Sequence, residues 1–165
     1  MKSTATRHSG KHDHKRCVTR ALADAERICT ARDARLTDIR RRILELVWAS
    51  HEPVGAYELL AKLSRERDKA APPTVYRALE FLMEVGLVHR IDSLNAFLGC
   101  NEPTREHVAQ FLVCRSCHHV SEIDSPSVQR AIEKESRQTG FIIEAGSLEI
   151  KGLCEACAAP AANTN

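Results

Sequence analysis

Two matching cysteine motifs place the strongest constraint on how this chain can fold. Cys114 and Cys117 are separated by two residues, and so are Cys154 and Cys157. This spacing lets both thiolates of a pair reach one ion, and two pairs together complete a tetrahedral zinc shell. A shared structural zinc would connect the start of the intervening segment to its end. A redox dithiol and an iron–sulfur centre are the alternative interpretations of these motifs.

The length of the chain makes such a metal site useful. Its 165 residues correspond to one domain or to two very small ones, and each of two small lobes would bury only a marginal core. No apolar run approaches the about 18 residues that cross a bilayer, and the polar N-terminus lacks the apolar segment of a signal peptide. We therefore expect a cytoplasmic protein without membrane contact, whose cysteines are thiols or metal ligands.

Charge is distributed unevenly along the chain. Residues 1–20 carry a net charge of +5, whereas residues 93–165 carry −3. The basic end attracts phosphate and the acidic end repels it. Residues 1–18 contain almost no apolar side chains and are predicted to be a disordered basic tail, as are residues 158–165 at the other end. The basic tail contains the metal-binding side chains His8, His12, His14 and Cys17. We interpret these four as solvated, with loose metal capture as the alternative.

Residues 19–99 show the pattern of several helices followed by a β-hairpin. Apolar side chains recur at helical spacing, Thr37 is a predicted N-cap, and Gly86 is a predicted helix end. The predicted helices cover residues 19–34, 38–49, 56–67 and 74–85, and the predicted strands cover residues 87–92 and 96–99. This order is typical of a winged helix-turn-helix, a DNA-binding fold. A small α+β domain of another function is the alternative.

The rest of the chain is predicted to contain a polar hinge and a second small domain. The hinge covers residues 100–108 and the domain covers residues 109–157. The domain is predicted to contain strands 110–114 and 119–124, a helix 125–139, and a last hairpin of strands 141–145 and 148–152. The fold class is therefore α+β: an N-terminal winged helix-turn-helix followed by a small α+β lobe with a four-cysteine zinc site.

A second group of metal-binding side chains lies around the hinge. His89 is on the first predicted wing strand, Cys100 follows the second, His107 is in the hinge, and Glu122 is on a strand of the second domain. Two imidazoles, a thiolate and a carboxylate form a possible zinc shell. Spacing alone does not select this set, because other side chains compete: Glu102, Glu106, His118 and His119.

Motifs typical of enzymes are missing from the sequence. It lacks the paired motifs of zinc deaminases, the His-Glu-x-x-His of metalloproteases, the P-loop and the dinucleotide-binding glycine pattern. We therefore expect no catalytic residues and no small-molecule substrate.

Several local sequences together resemble the ferric uptake regulator (Fur) family of bacterial metal-sensing repressors. The resemblance extends from about Leu22 to Cys157 and includes both cysteine pairs. Its other parts are Leu36-Thr37, Ala56–Leu60 (AYELL) and Pro72–Leu79 (PPTVYRAL). Within the family, the zinc uptake regulators are the most similar members. That similarity rests on Glu80–Leu82, Val88-His89, Cys100 and Ile150–Cys154.

The resemblance implies a zinc-responsive transcriptional repressor that acts as a homodimer on double-stranded DNA. Zinc would favour the conformation that binds AT-rich inverted-repeat operators of zinc-uptake genes, and the second domain would mediate dimerisation. It implies two zinc ions per chain: a structural ion at the cysteine pairs and a regulatory ion bound by His89, Cys100, His107 and Glu122. The thiolate of Cys100 favours zinc over ferrous iron. The alternatives are an iron- or manganese-responsive member of the family and a zinc-stabilised protein-interaction module.

The resemblance also implies which residues contact DNA. The recognition helix would be the predicted helix 74–85, with Arg77 pairing to guanine through its forked guanidinium. Tyr57, Thr74 and Tyr76 would contact bases or the backbone. Phosphate attraction would come from the basic tail and from Arg40, Arg41 and Arg42.

The sequence departs from the family pattern around the first cysteine pair. His118 stands where glycine is common, and His118 and His119 could compete as ligands. Only Arg105-Glu106-His107 remains of a histidine-rich stretch that many members carry. We therefore expect no third complete metal site.

Overall fold

A computed structural model describes residues 14–66, 71–105, 108–143 and 146–158. Among these, the residues up to Arg105 form one compact unit, here called the N-terminal unit, and those from Val108 onward form the C-terminal unit. In the part of the chain that is described, no helix is long and apolar enough to cross a membrane.

The N-terminal unit is a winged helix-turn-helix, as predicted. Its elements are α1 (His14–Ala31), α2 (Asp38–Val47), α3 (Ala56–Ser64), α4 (Pro72–Glu84), β1 (Val88–Ile91) and β2 (Ala96–Gly99). Strands β1 and β2 pair antiparallel, and Val54 adds a bridge to Phe97 on the outer side of β2. The helices pack around fully buried side chains that include Ile43, Leu44, Leu59, Leu63, Leu79 and Leu82.

Local capping sets the ends of these helices. The Thr37 hydroxyl accepts a hydrogen bond from the Arg40 backbone N–H at 3.4 Å, which confirms the predicted N-cap. Pro72 and Pro73 occupy the first turn of α4. Proline lacks a backbone N–H, and the N–H groups of a first turn have no hydrogen-bond partner within the helix. Gly86 follows α4 with a φ of +78°, a conformation that suits glycine because it lacks a Cβ atom.

Helix α1 begins earlier than expected. The sequence pattern places residues 14–18 in the disordered tail, but they form the first turn of α1. Cys17 and Val18 pack against the core of the N-terminal unit, so the apolar stripe starts before Leu22. The rest of the predicted basic tail, with His8 and His12, lies outside the described residues, as does most of the predicted tail at the other end.

The C-terminal unit contains a three-stranded sheet in the order β4-β3-β5. Its elements are β3 (Ala109–Cys114), β4 (Val120–Ile123), α5 (Pro126–Gln138), β5 (Ser147–Gly152) and a short α6 (Glu155–Ala158). The predicted last hairpin is wrong, because residues 141–143 are not a strand and β5 pairs parallel to β3. Strand β4 occupies one edge of β3, so β5 satisfies the backbone groups of the other edge after the long connection through α5.

Gly99 provides a test of packing in the N-terminal unit. A methyl group at this position would overlap the indole ring of Trp48, which is 9% exposed. We expect Gly99→Ala to lower the free energy of unfolding by about 1–3 kcal/mol through overpacking. Urea unfolding followed by Trp48 fluorescence measures this, because the chain has a single tryptophan.

Gly146→Ala is the matched control, since a methyl group there meets no atom within 4 Å. Equal Trp48 transitions for the two variants would show that the indole does not limit the space at Gly99.

Candidate metal centres and nucleic-acid interface

The cysteines of the two predicted pairs converge in the C-terminal unit. The four sulfur atoms all lie within 4.8 Å of one another, and those of Cys117 and Cys154 are 3.7 Å apart. Zinc–sulfur bonds of about 2.3 Å in a tetrahedron require sulfur–sulfur distances of about 3.8 Å. The arrangement of these sulfurs therefore suits one tetrahedral zinc ion.

Strands β3 and β5 hold this cluster together. Cys114 ends β3 opposite Gly152 of β5, and the Arg115 N–H donates to the Gly152 carbonyl at 2.9 Å. The Cys154 N–H points to the Cys114 sulfur at 3.4 Å. His118 closes the first turn with a φ of +61°, a conformation that favours glycine. The parallel pairing of β3 with β5 thus brings the two distant cysteine pairs to the same end of the sheet.

Thiols of the cluster differ in how readily they ionise. The backbone N–H of Cys117, and then that of Cys154, lower the pKa of Cys114 from 9.0 to about 5. The backbone N–H of His119 lowers the pKa of Cys117, but the neighbouring Cys114 and Cys154 side chains raise it to about 12 overall. The Cys114 thiolate therefore forms readily, whereas Cys117 keeps its proton. A divalent metal ion supplies the charge that lets all four bind as thiolates.

Two of the four residues in the predicted second metal set lie together on the wing hairpin. His89 is on β1 opposite Leu98, and Cys100 follows β2 with its N–H donating to the Leu87 carbonyl at 3.0 Å. A ring nitrogen of His89 lies within 4.8 Å of the Cys100 sulfur, which belongs to a buried residue. An imidazole and a thiolate at this separation can bind the same ion.

The remaining members of that set belong to other parts of the chain. Glu122 is half-buried on β4 of the C-terminal unit, opposite Phe111, and His107 lies outside the described residues. The competing His118 and His119 are exposed, and the His119 ring is 3.1 Å from the Ser121 hydroxyl. Neither histidine belongs to a group of metal-binding side chains within the described ranges.

Sequence reasoning missed the contact between Trp48 and Gly99, which lies next to the His89–Cys100 pair. The Trp48 ring lies against the Gly99 backbone, immediately before Cys100. The available signal was the glycine itself, because a glycine within a strand often marks a close approach to another group. Its partner is distant in the sequence and could not be identified from spacing.

The candidate nucleic-acid interface consists of side chains on α3 and α4. Tyr57 is 74% exposed and Tyr76 is 41% exposed, although large aromatic side chains are usually more buried. Arg77 is exposed and forms no ion pair or side-chain hydrogen bond with another described residue. Thr74 is half-buried in the first turn of α4. These four predicted contact residues are therefore accessible to a partner.

The three arginines predicted to attract phosphate have contacts within the chain. Arg41 and Arg42 form ion pairs with glutamates, and Arg40 stacks on an aromatic ring. The glutamates offset two of the three charges, which weakens the prediction that these arginines bind phosphate.

Comparisons with known proteins agree with this geometry. Residues 31–151 match the model of the ferric uptake regulator family. The chain is 37% identical over 139 residues to the zinc uptake regulation protein of Escherichia coli (strain K12), covering 82% of this chain and 80% of that protein. It is similar to a solved zinc uptake regulator complexed with zinc and DNA, with a TM-score of 0.79, 35% identity, and coverage of 85% of this chain and 94% of the other. A second solved structure, holo XcZur, gives a TM-score of 0.75 and 44% identity, with coverage of 84% and 97%.

Proton release tests the protonation pattern of the four-cysteine cluster. The pKa values of Cys117 and Cys157 are raised within the cluster, so both thiols carry protons near neutral pH. Zinc binding must displace these protons, and zinc affinity must therefore fall as the pH falls. We expect at least two protons released per zinc at pH 7, measured with an indicator dye in weak buffer.

A zinc affinity that does not change between pH 8 and pH 6 would contradict this prediction. A variant with Ser in place of Cys17, which belongs to no metal-binding group among the described residues, serves as the control. It should release the same number of protons.

Proposed function

Since the chain belongs to the ferric uptake regulator family, we propose that it is a zinc-responsive transcriptional repressor rather than an enzyme. It binds double-stranded DNA as a homodimer when zinc is plentiful, at AT-rich inverted repeats of zinc-uptake genes. One observation carries this proposal: a winged helix holds the His89–Cys100 pair, while a separate four-cysteine cluster lies in the C-terminal unit. The similarity to zinc uptake regulators, one of them solved with zinc and DNA, supports it.

The proposed zinc content is two ions per chain with different roles. Four cysteines form a closed shell without an open position, so the first ion stabilises the fold and performs no chemistry. The second ion is regulatory and is bound by His89, Cys100, His107 and Glu122. The distance between His89 and Cys100 supports this set, because half of the proposed shell lies on one short hairpin.

The proposed regulatory ion couples zinc to DNA because its ligands come from different domains. His89 and Cys100 belong to the predicted DNA-binding domain, 19–99, and its boundary with the hinge, 100–108. Glu122 belongs to the predicted dimerisation domain, 109–157. An ion bound by all of them restricts the movement of one domain against the other, and zinc then favours the arrangement that binds DNA.

Helix α4 is the proposed recognition helix, which enters the major groove. Its exposed Arg77 is proposed to pair with a guanine, because a guanidinium fork can donate to O6 and N7 together. The other proposed contacts are Tyr57 on α3 and Thr74 and Tyr76 on α4, and both tyrosines are exposed.

Exposed apolar side chains in the C-terminal unit support the proposed homodimer. Helix α5 has no buried residue, although it contains apolar side chains. Leu112 of β3 and Ile150 of β5 are exposed neighbours in the sheet, and adjacent exposed apolar side chains mark interaction surfaces. The large ones in this unit are Leu112, Phe141, Ile142, Ile150 and Leu153.

DNA binding at buffered concentrations of free metal tests the proposed function. We expect the wild-type chain to bind its operator most tightly with zinc, and Arg77→Ala to lose about 1–3 kcal/mol of binding free energy with the guanine contact. Fluorescence anisotropy with a labelled duplex measures both effects. Arg27→Ala is the control, because Arg27 pairs with Asp24 on α1.

The alternatives give different results in the same assay. Tightest binding with ferrous iron or manganese would indicate another branch of the family. The absence of salt-dependent DNA binding, with no loss on Arg77→Ala, would favour a protein-interaction module.

Two cysteine substitutions test the separate roles of the metal sites. We expect Cys100→Ser to weaken zinc-dependent DNA binding while the thermal unfolding of both units stays near wild type. Cys154→Ser removes a structural ligand, so it should unfold the C-terminal unit, because breaking a closed zinc site removes folding free energy. Calorimetry and circular dichroism measure stability, and equal behaviour of the two variants would refute this division of roles.

A further inference from the structure

Three consecutive arginines at the start of α2 contact α4, α1 and the residue Glu66 that follows α3. We call Arg40, Arg41 and Arg42 the arginine triplet. Successive residues of an α-helix point about 100° apart, so three neighbours extend in three directions around α2. Ile39 and Ile43 occupy the remaining side, and Ile43 is fully buried in the core. Each arginine therefore reaches a different neighbour of α2.

Arg42 makes the most extensive of these contacts. Its Nε and Nη2 atoms donate to the two carboxylate oxygens of Glu66, at 2.7 and 2.5 Å. Its Nη1 atom donates to Glu45 at 2.6 Å, one turn further along α2. Glu66 lies two residues after the end of α3. The Arg42–Glu66 pair thus joins α2 to the end of α3, and both α2 and α3 pack against α4.

Arg40 contacts the proposed recognition helix itself. Its guanidinium lies 3.4 Å from the centre of the Phe81 ring on α4. Its Nη1 atom also donates to the Arg35 carbonyl at 2.5 Å, which fixes the plane of the guanidinium. A cation over an aromatic face is an attractive contact that depends on the position of both groups.

Arg41 extends from α2 to α1. It forms an ion pair with Glu26 of α1 at 2.5 Å, and both side chains are substantially exposed. An exposed pair of this kind contributes little to stability. Arg42 differs, because a bidentate arginine–carboxylate pair is stronger and fixes geometry as well as charge.

The geometry points to a positioning role: we propose that the arginine triplet, chiefly through Arg42 and Glu66, sets the placement of α4 for DNA recognition and does not bind phosphate. This inference rests on the proposed function, because it assigns α4 to DNA. The contrast with Arg77 supports it, since Arg77 has no ion pair with another described residue and stays available for a base.

Charge-matched substitutions separate a positioning role from a phosphate contact. The variants are Arg42→Gln, Glu66→Gln and the double variant, which restores the wild-type net charge. Arg65→Gln is the control, because it removes one positive charge from a neighbouring arginine without an ion pair to another described residue. The DNA probe is a duplex that the zinc-loaded wild-type protein selects from a random-sequence pool. Each variant is measured over a series of salt concentrations, at a temperature where circular dichroism shows it to be folded.

A positioning role predicts that both single variants bind the selected duplex about threefold to tenfold more weakly, because each breaks the same contact. The double variant should lose no more than the weaker-binding single variant. The slope of log affinity against log salt should stay at the wild-type value, because no phosphate contact is removed.

A phosphate contact predicts the opposite pattern and would overturn the inference. Arg42→Gln would then reduce the salt slope by about 1, and Glu66→Gln would strengthen binding by releasing the arginine. A loss for Arg42→Gln no larger than that for Arg65→Gln would also overturn it. If the wild-type protein selects no duplex, the proposed function fails and this inference fails with it, whereas the other results leave the proposed function intact.

Discussion

The convergence of four cysteines at one end of a three-stranded sheet is the constraint on which the C-terminal unit depends. The buried apolar side chains of that unit are few and lie mainly on β3, while α5 buries none. A core of this size is marginal without a further source of free energy. The thiol cluster supplies one, because a metal ion there joins the end of β3 to the segment after β5.

The arginines of the N-terminal unit show how one residue type serves different purposes. Arg77 extends from α4 without an ion pair to another described residue, whereas Arg41 and Arg42 face glutamates. A charge that is already paired gains less from a phosphate than an unpaired one, because its existing contacts must first be broken. The positive charge of Arg77 on α4 is therefore more available to DNA than the paired charges of Arg41 and Arg42 on α2.

Features that depend on local sequence were predictable, and features that depend on distant partners were not. The Thr37 cap, the buried stripe of α4 and the turn at Gly86 each arise within one or two helical turns. The four-cysteine cluster was also predictable, because the spacing of its pairs determines its chemistry. The parallel pairing of β5 with β3 was missed, since a strand pattern does not name its neighbour. The contact of Arg42 with Glu66 joins residues 24 positions apart, and no periodicity indicates it.

Native mass spectrometry during graded chelation tests the central claim most directly, namely that one zinc stabilises the fold and a second regulates it. The account predicts a dimer with two zinc ions per chain. One ion per chain should leave at low chelator concentration while the dimer persists, and the other should leave only as the dimer is lost. A dimer that keeps one zinc per chain and takes up no second ion when zinc is added would contradict the account.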